Sequence, residues 1–268
     1  MMLNTLINDN IISITIYLDD KEKILFLSSS KLLNPLKIKI QYNDEINLDK
    51  IQHLWYYDRF TNIITDNLDY KFPKNITHLT FDYIFNESIK GCIPSTVTHL
   101  KFGNHFNKNI KDSIPNSVTH LMFGACFEQD ITECIPDSVT HLEFGYAFDR
   151  SIKDCIPNSV THIVFGPFYN QPIKGCIPNS VTHLIFGQYF DQDIKDCIPN
   201  SVTHLTFGNY TGHVTLNSNG AIEPQHVFES AFNYDIIGCI PISVTHLTMS
   251  KNYLKEIKIH DTCKITLL

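Results

Sequence analysis

A twelve-residue run, Cys176-Ile177-Pro178-Asn179-Ser180-Val181-Thr182-His183-Leu184-Ile185-Phe186-Gly187, returns through most of this chain at a fixed interval. The histidine of its Thr-His pair falls at His78, His99, His120, His141, His162, His183 and His204, each step being 21 residues, and again at His246, two steps on. A strict period of this length means a stack of like coils. Within a coil, Leu184 and Phe186 are two apart, so on a strand they share one face, and His183 and Ile185 share the other. Pro178 suits the turn before the strand, and Gly187 closes it where a bend or a close backbone approach is needed. Phe190 and Ile194 follow at positions that recur as Phe106 and Ile110, Phe127 and Ile131, and Phe148 and Ile152. One coil offers about six apolar side chains, too few to offset the ordering of its own backbone. Stacked coils bury them against each other, and each strand is reached by a full circuit, so the strands run parallel.

The spacing Val181-x-x-Leu184-x-Phe186 is the front half of a leucine-rich repeat, without that repeat's asparagine as a fixed feature. With Phe-Asn or Phe-Asp, then Ile, then Ile-Pro, the coil closely resembles the FNIP repeat, a leucine-rich-repeat relative abundant in amoebae and in the giant DNA viruses that infect them. The run His105 to Gly124 carries the match nearly throughout, and the resemblance covers roughly 70–250. The Ile-Pro-Asn-Ser-Val-Thr stretch is also similar to bacterial surface leucine-rich repeats. The fold class that follows is α+β: a small helical N-terminal segment, then a parallel β, leucine-rich-repeat-like solenoid of 21-residue coils.

Four parts are expected: a helical segment over 1–33, divergent lead-in coils over 34–70, the solenoid over 71–250 and a C-terminal cap over 251–268. In 1–33, apolar residues at helical spacing predict two short helices joined near Leu18-Asp19-Asp20, with Asp9 capping the first and Asp19 or Asp20 the second. The segment resembles an F-box through Leu6, Asp9-x-Ile11, Ile14 to Leu18, Asp20-Lys21 and Phe26 to Lys31. It departs from that family at Ile7, where proline is usual, and no tryptophan follows Lys31. The resemblance implies a Skp1-like adaptor as partner, contacted by Leu6, Ile11, Ile12, Ile16, Leu18, Ile24 and Leu25. A plain helical cap for the solenoid is the alternative.

In the lead-in region, Leu36-Lys37-Ile38-Lys39-Ile40 alternates as a strand. Ile51-Gln52-His53-Leu54-Trp55-Tyr56 copies the Val-Thr-His-Leu-x-Phe layout, with Trp55 and Tyr57 facing outward or packed on the helices. Residues 209–230 read either as a degenerate coil or as an insertion between Gly208 and Phe232. Leu254 to Ile259 looks like a closing strand with edge-blunting charges.

Net charge is −7 with both signs interspersed, which argues against nucleic acid as a partner. No run of about 18 apolar residues exists, so no membrane span is expected, and the acidic N-terminus does not suit a signal peptide. Cys92, Cys134, Cys155, Cys176, Cys197 and Cys239 hold one column, with Ser113 in the same place. That arrangement predicts small buried thiols in a reducing compartment, cytosol or nucleus, not a disulfide framework.

Two columns point outward from the strands. One is histidine; a structural ladder explains it better than a metal site, which needs converging ligands. The other varies, with Lys101, Met122, Glu143, Val164, Ile185 and Thr206 as its core, and is the expected surface for a target protein, spread over about 38 Å across eight strands. Glu143 is the one carboxylate there, and no nucleophile–base set or cofactor fingerprint is present, so neither catalysis nor a cofactor is expected. The expected function is substrate recognition in a Skp1–cullin–F-box ubiquitin ligase. The alternatives are a repeat scaffold with no ubiquitin link and a carbohydrate-active solenoid.

Overall fold

The computed structural model describes residues 2–208, 230–253 and 255–267, with side chains from Asp9 onward. Helix α1 (Met2–Thr15) and helix α2 (Asp20–Ser28) are followed by a short 3-10 helix over Asn34–Lys39. The sheet then opens with β1 (Ile46–Asn47) and β2 (Asn62–Thr65), separated by the single turn α3 (Leu48–Ile51). The regular strands are β3 (His78–Phe81), β4 (His99–Lys101), β5 (His120–Met122), β6 (His141–Glu143), β7 (His162–Val164), β8 (His183–Phe186) and β9 (His204–Phe207). Strands β10 (His246–Met249) and β11 (Lys264–Leu267) end the row. All eleven lie in sequence order in one parallel sheet, and from β3 to β10 histidine pairs with histidine.

The core is a set of columns. Val139, Leu142, Phe144, Phe148 and Ile152 of one coil are buried, as are their equivalents in the others. The phenylalanines form two stacks, one after the strand and one at the following turn. Equivalent rings lie 5.4–5.8 Å apart in the first stack and 6.1–6.4 Å apart in the second. On the opposite face, the histidine rings are only 4.0–4.3 Å apart. The repeat therefore widens away from the histidines, and the sheet curves with the histidine face concave.

Polar groups also run in columns. The Ser138 hydroxyl donates to the Val118 carbonyl at 2.7 Å, and Ser117, Ser159, Ser180 and Ser201 do the same one coil along. The Asn or Asp after the second phenylalanine accepts from the backbone of the next coil, as Asn107 does from Glu128 N–H at 3.0 Å and Asp149 from Asn170 N–H at 2.9 Å. In the cysteine column, Cys134, Cys155, Cys176 and Cys197 are buried and all eight cysteines are free. The Cys134 thiol donates to the Thr132 carbonyl at 3.2 Å, and Ser113 donates to Lys111 at 3.1 Å, which explains why serine replaces cysteine there.

One column member is out of place. Tyr169 sits in the second aromatic stack with no solvent exposure, and its hydroxyl has no hydrogen-bond partner. A buried unpaired hydroxyl costs on the order of 1–3 kcal/mol. Tyr169→Phe should raise the thermal midpoint by a few degrees; a fall would show that the hydroxyl is satisfied.

Four expectations from sequence are corrected. Residues 36–40 are not a strand: Pro35 sits in the first turn of the 3-10 helix over Asn34–Lys39, which buries Leu36 and Lys37, with Ile40 buried just beyond it while Ile38 stays exposed. Residues 51–56 are not the lead-in strand either. Asn47 caps α3, which turns Ile51 and Tyr56 inward, and the strand lies at β2, where Asn62 takes the histidine's place opposite His78. Trp55 is exposed, edge-on to Tyr56. Residues 255–259 form no strand; the closing strand is β11, paired to β10. Asp9 caps nothing, because α1 starts seven residues earlier, at Met2.

The pairing also bears on 209–230. Strand β9 pairs directly with β10, although His204 and His246 are two periods apart. Phe232 stacks on Phe207 at 4.1 Å, as Phe190 stacks on Phe186. The coil therefore leaves at Gly208 and resumes at Ser230, and the intervening 209–229 lie outside the described residues.

Candidate functional site: the concave strand face

The alternation inside each three- or four-residue strand fixes the site. In β6, Leu142 points into the core, so His141 and Glu143 must face the concave side, where both are half-buried. The same holds for Lys101, Met122 and Val164. These four, with Thr80, Asn62, Glu45 and the ring edges of His78 to His162, line a groove of about 460 Å³ running across the strands from β2 to β7. Ile185 and Thr206 lie on the same face, on β8 and β9 beyond this groove.

Each imidazole is held from behind. Thr140 Oγ1 lies 2.9 Å from His141 Nδ1 and 3.2 Å from the Thr119 carbonyl, and the arrangement repeats from Thr98 to Thr245. The rings are stacked within 15° of parallel. Burial, then repulsion from neighbouring imidazoles, lowers the pKa of His99 and of His162 to about 4. His78, His120, His141, His183 and His204 are lowered as well, burial being the largest cause. These seven rings are thus neutral at pH 7. Parallel rings do not converge on a point, and among the described residues no group of three or more His, Cys, Asp or Glu is placed to hold a metal ion.

Glu143 is the one carboxylate of the variable column in the groove; burial pushes its pKa up, and Lys101 only partly offsets this. Among the described ion pairs, Lys23–Asp20, Lys74–Asp58, Lys111–Glu133 and Lys258–Glu256, none involves Lys101, Glu143 or Glu45. Sequence reading missed Glu45 and Asn62, because it placed the lead-in strand in the wrong register.

The N-terminal segment is joined to the solenoid by a polar clamp. Asp44 N–H donates to Asp20 Oδ2 at 2.7 Å and Asp20 N–H to Asp44 Oδ2 at 3.0 Å, while Lys37 Nζ donates to Ser28 Oγ at 2.6 Å. Asp19 and Glu22 form a reciprocal capping box that starts α2. Of the residues expected to meet an adaptor, Ile11 and Ile24 pack on the solenoid core and Ile12 and Leu18 are half-buried. Ile16 and Leu25 are exposed, as are Tyr17 and Leu32. The Leu6 side chain lies outside the described set.

The comparisons agree with this architecture. The FNIP Repeat family model matches residues 66–105, 85–126, 106–147, 127–168 and 169–210, together more than half of the chain. An uncharacterized protein of Acanthamoeba polyphaga mimivirus is 32% identical over 91 residues, 34% of this chain and 30% of that protein. The crystal structure of CroV588, described as a novel circular LRR protein structure, superposes with a TM-score of 0.61 at 33% identity, over 84% of this chain and 35% of that one. The matched regions thus span about a third of the length of these relatives. Among the described residues, no helix is long and apolar enough to cross a membrane.

Proposed function

Because the chain belongs to the FNIP repeat family, we propose that it is a protein-interaction receptor that holds a target protein on its concave strand face. The observation that carries this reading is the variable column. The interior repeats almost without change, while Lys101, Met122, Glu143 and Val164 differ coil by coil and line the same groove. Repeat solenoids use such faces for binding because the core does not dictate which residues stand there.

The finer proposal is that the helical segment delivers the target to a Skp1-like adaptor of a cullin–RING ubiquitin ligase. Its support is the exposed apolar set Ile16, Tyr17, Leu25 and Leu32 on a segment hydrogen-bonded to the solenoid. A receptor of this kind works by proximity, holding its target near a charged enzyme, with no chemistry of its own. Co-precipitation with Skp1 tests it. The chain should capture Skp1, and Leu25→Asp, at an exposed position, should abolish capture without changing the fold. Failure of the unaltered chain to capture Skp1 would leave the second reading, a scaffold whose helices cap the solenoid. That reading is favoured by Leu27, which is fully buried, and by Ile11, Ile24 and Phe26 packing on the core.

A further inference from the structure

The groove has a charge order that the apolar lining makes decisive. Along the solenoid axis the variable column reads Lys101, Met122, Glu143, Val164 on adjacent strands β4 to β7. The positive and negative residues are two strands apart, about 9.6 Å, with the thioether of Met122 midway. Both charges are half-buried and outside the described ion pairs. A ligand that leaves them unmatched forfeits their hydration, so the groove selects for opposite charges at that separation.

An α-helix lying along the axis meets this spacing. Its turn is 5.4 Å, close to the strand spacing of about 4.8 Å, so one turn falls on one coil. Residues i, i+3 or i+4, and i+7 stand on one face, with i and i+7 about 10.5 Å apart. The groove runs over β3 to β7 of the regular strands, about 19 Å, which is room for about thirteen helical residues.

We infer that the groove receives one amphipathic helix of a partner protein, with an acidic side chain on Lys101, an apolar one on Met122, a basic one on Glu143 and a further apolar one on Val164. This rests on the strand face being the binding face, and it names the partner's chemistry. The raised pKa of Glu143 fits a carboxyl waiting for a cation in an apolar setting.

The test is selection of random sixteen-residue peptides displayed against the immobilised full chain. Enriched peptides should carry acidic, apolar and basic residues at i, i+3 or i+4, and i+7, in either chain direction, and should gain helical circular dichroism on binding. Lys101→Glu should weaken them at least tenfold, and a basic residue in place of the acidic one should restore binding. Unchanged thermal unfolding of each variant shows that the fold is intact. Peptides that bind extended, yet still depend on Lys101 and Glu143, overturn the helix and leave the face as the binding surface. Peptides indifferent to both Lys101→Glu and Glu143→Lys, or no enrichment at all, overturn both.

Discussion

Gly145→Ala should destabilise the solenoid by about 3 kcal/mol or more, with the loss read from the urea midpoint. The cause is not conformational freedom but space. A Cβ at Gly145 would overlap the carbonyl oxygen of Gly124 in the preceding coil. The clashing atom is backbone rather than the end of a flexible side chain, so nothing can simply swing away. Gly103, Gly124, Gly166 and Gly187 face the same overlap with the coil before them. Gly175 provides the contrast. It has a φ of +70° with nothing within 4 Å of an added Cβ. Asp112, Asp154 and Asp196 occupy its column at φ of 56°, 59° and 58°. Gly175→Asp should therefore cost no more than about 1 kcal/mol. Equal losses at the two glycines would contradict the close packing of successive coils.

The second large effect is acid sensitivity. In the folded chain the pKa values of His99 and His162 lie at about 4, and five more ladder histidines are lowered; in the unfolded chain the value is about 6.5. As pH falls through 6.5 the unfolded state takes up protons that the folded state refuses, so stability drops, and the drop ends near pH 4, where the folded rings protonate. Solvent screening discounted, His99 and His162 should each lose on the order of 1–2 kcal/mol between pH 7.5 and 5, with smaller losses from the others. The groove carboxyl of Glu143 works in the opposite sense, since burial raises it and acid relieves it, but one such group does not reverse seven. The thermal midpoint should fall by roughly 10 °C over that range. The double variant His99→Asn, His162→Asn should show a shallower fall. A flat profile would contradict a stacked, neutral ladder.

Most of the solenoid was legible from the period alone. A strand three residues long with one inward side chain has one register that buries Leu142 and Phe144, so position within the repeat decided which residues face the groove. The lead-in region was not legible in this way. Ile51, Leu54 and Tyr56 have the spacing of a strand start, yet the same spacing turns inward on a capped helical turn, and no neighbouring copy breaks the tie. Leu254 to Ile259 misled for a related reason: alternation is only a local signal, whereas β11 won the edge by pairing all four of its residues with β10. The candidate face was readable as a column that varies while its surroundings do not. Its reach was not, because Glu45 and Asn62 enter the groove from coils outside the strict period. The acidic clamp between Asp20 and Asp44 left no sequence signature at all, being a contact across 24 residues.

The stacking of successive 21-residue coils is tested most directly by nuclear Overhauser contacts among selectively labelled histidine rings. Within the ladder, each ring from His99 to His183 should see the rings 21 residues before and after it, His141 seeing His120 and His162 at 4.1 Å, and His204 should see His246 across the longer interval at 4.3 Å. Contacts that skip a coil, or ladder rings from His78 to His246 that see no other ladder ring, would contradict it.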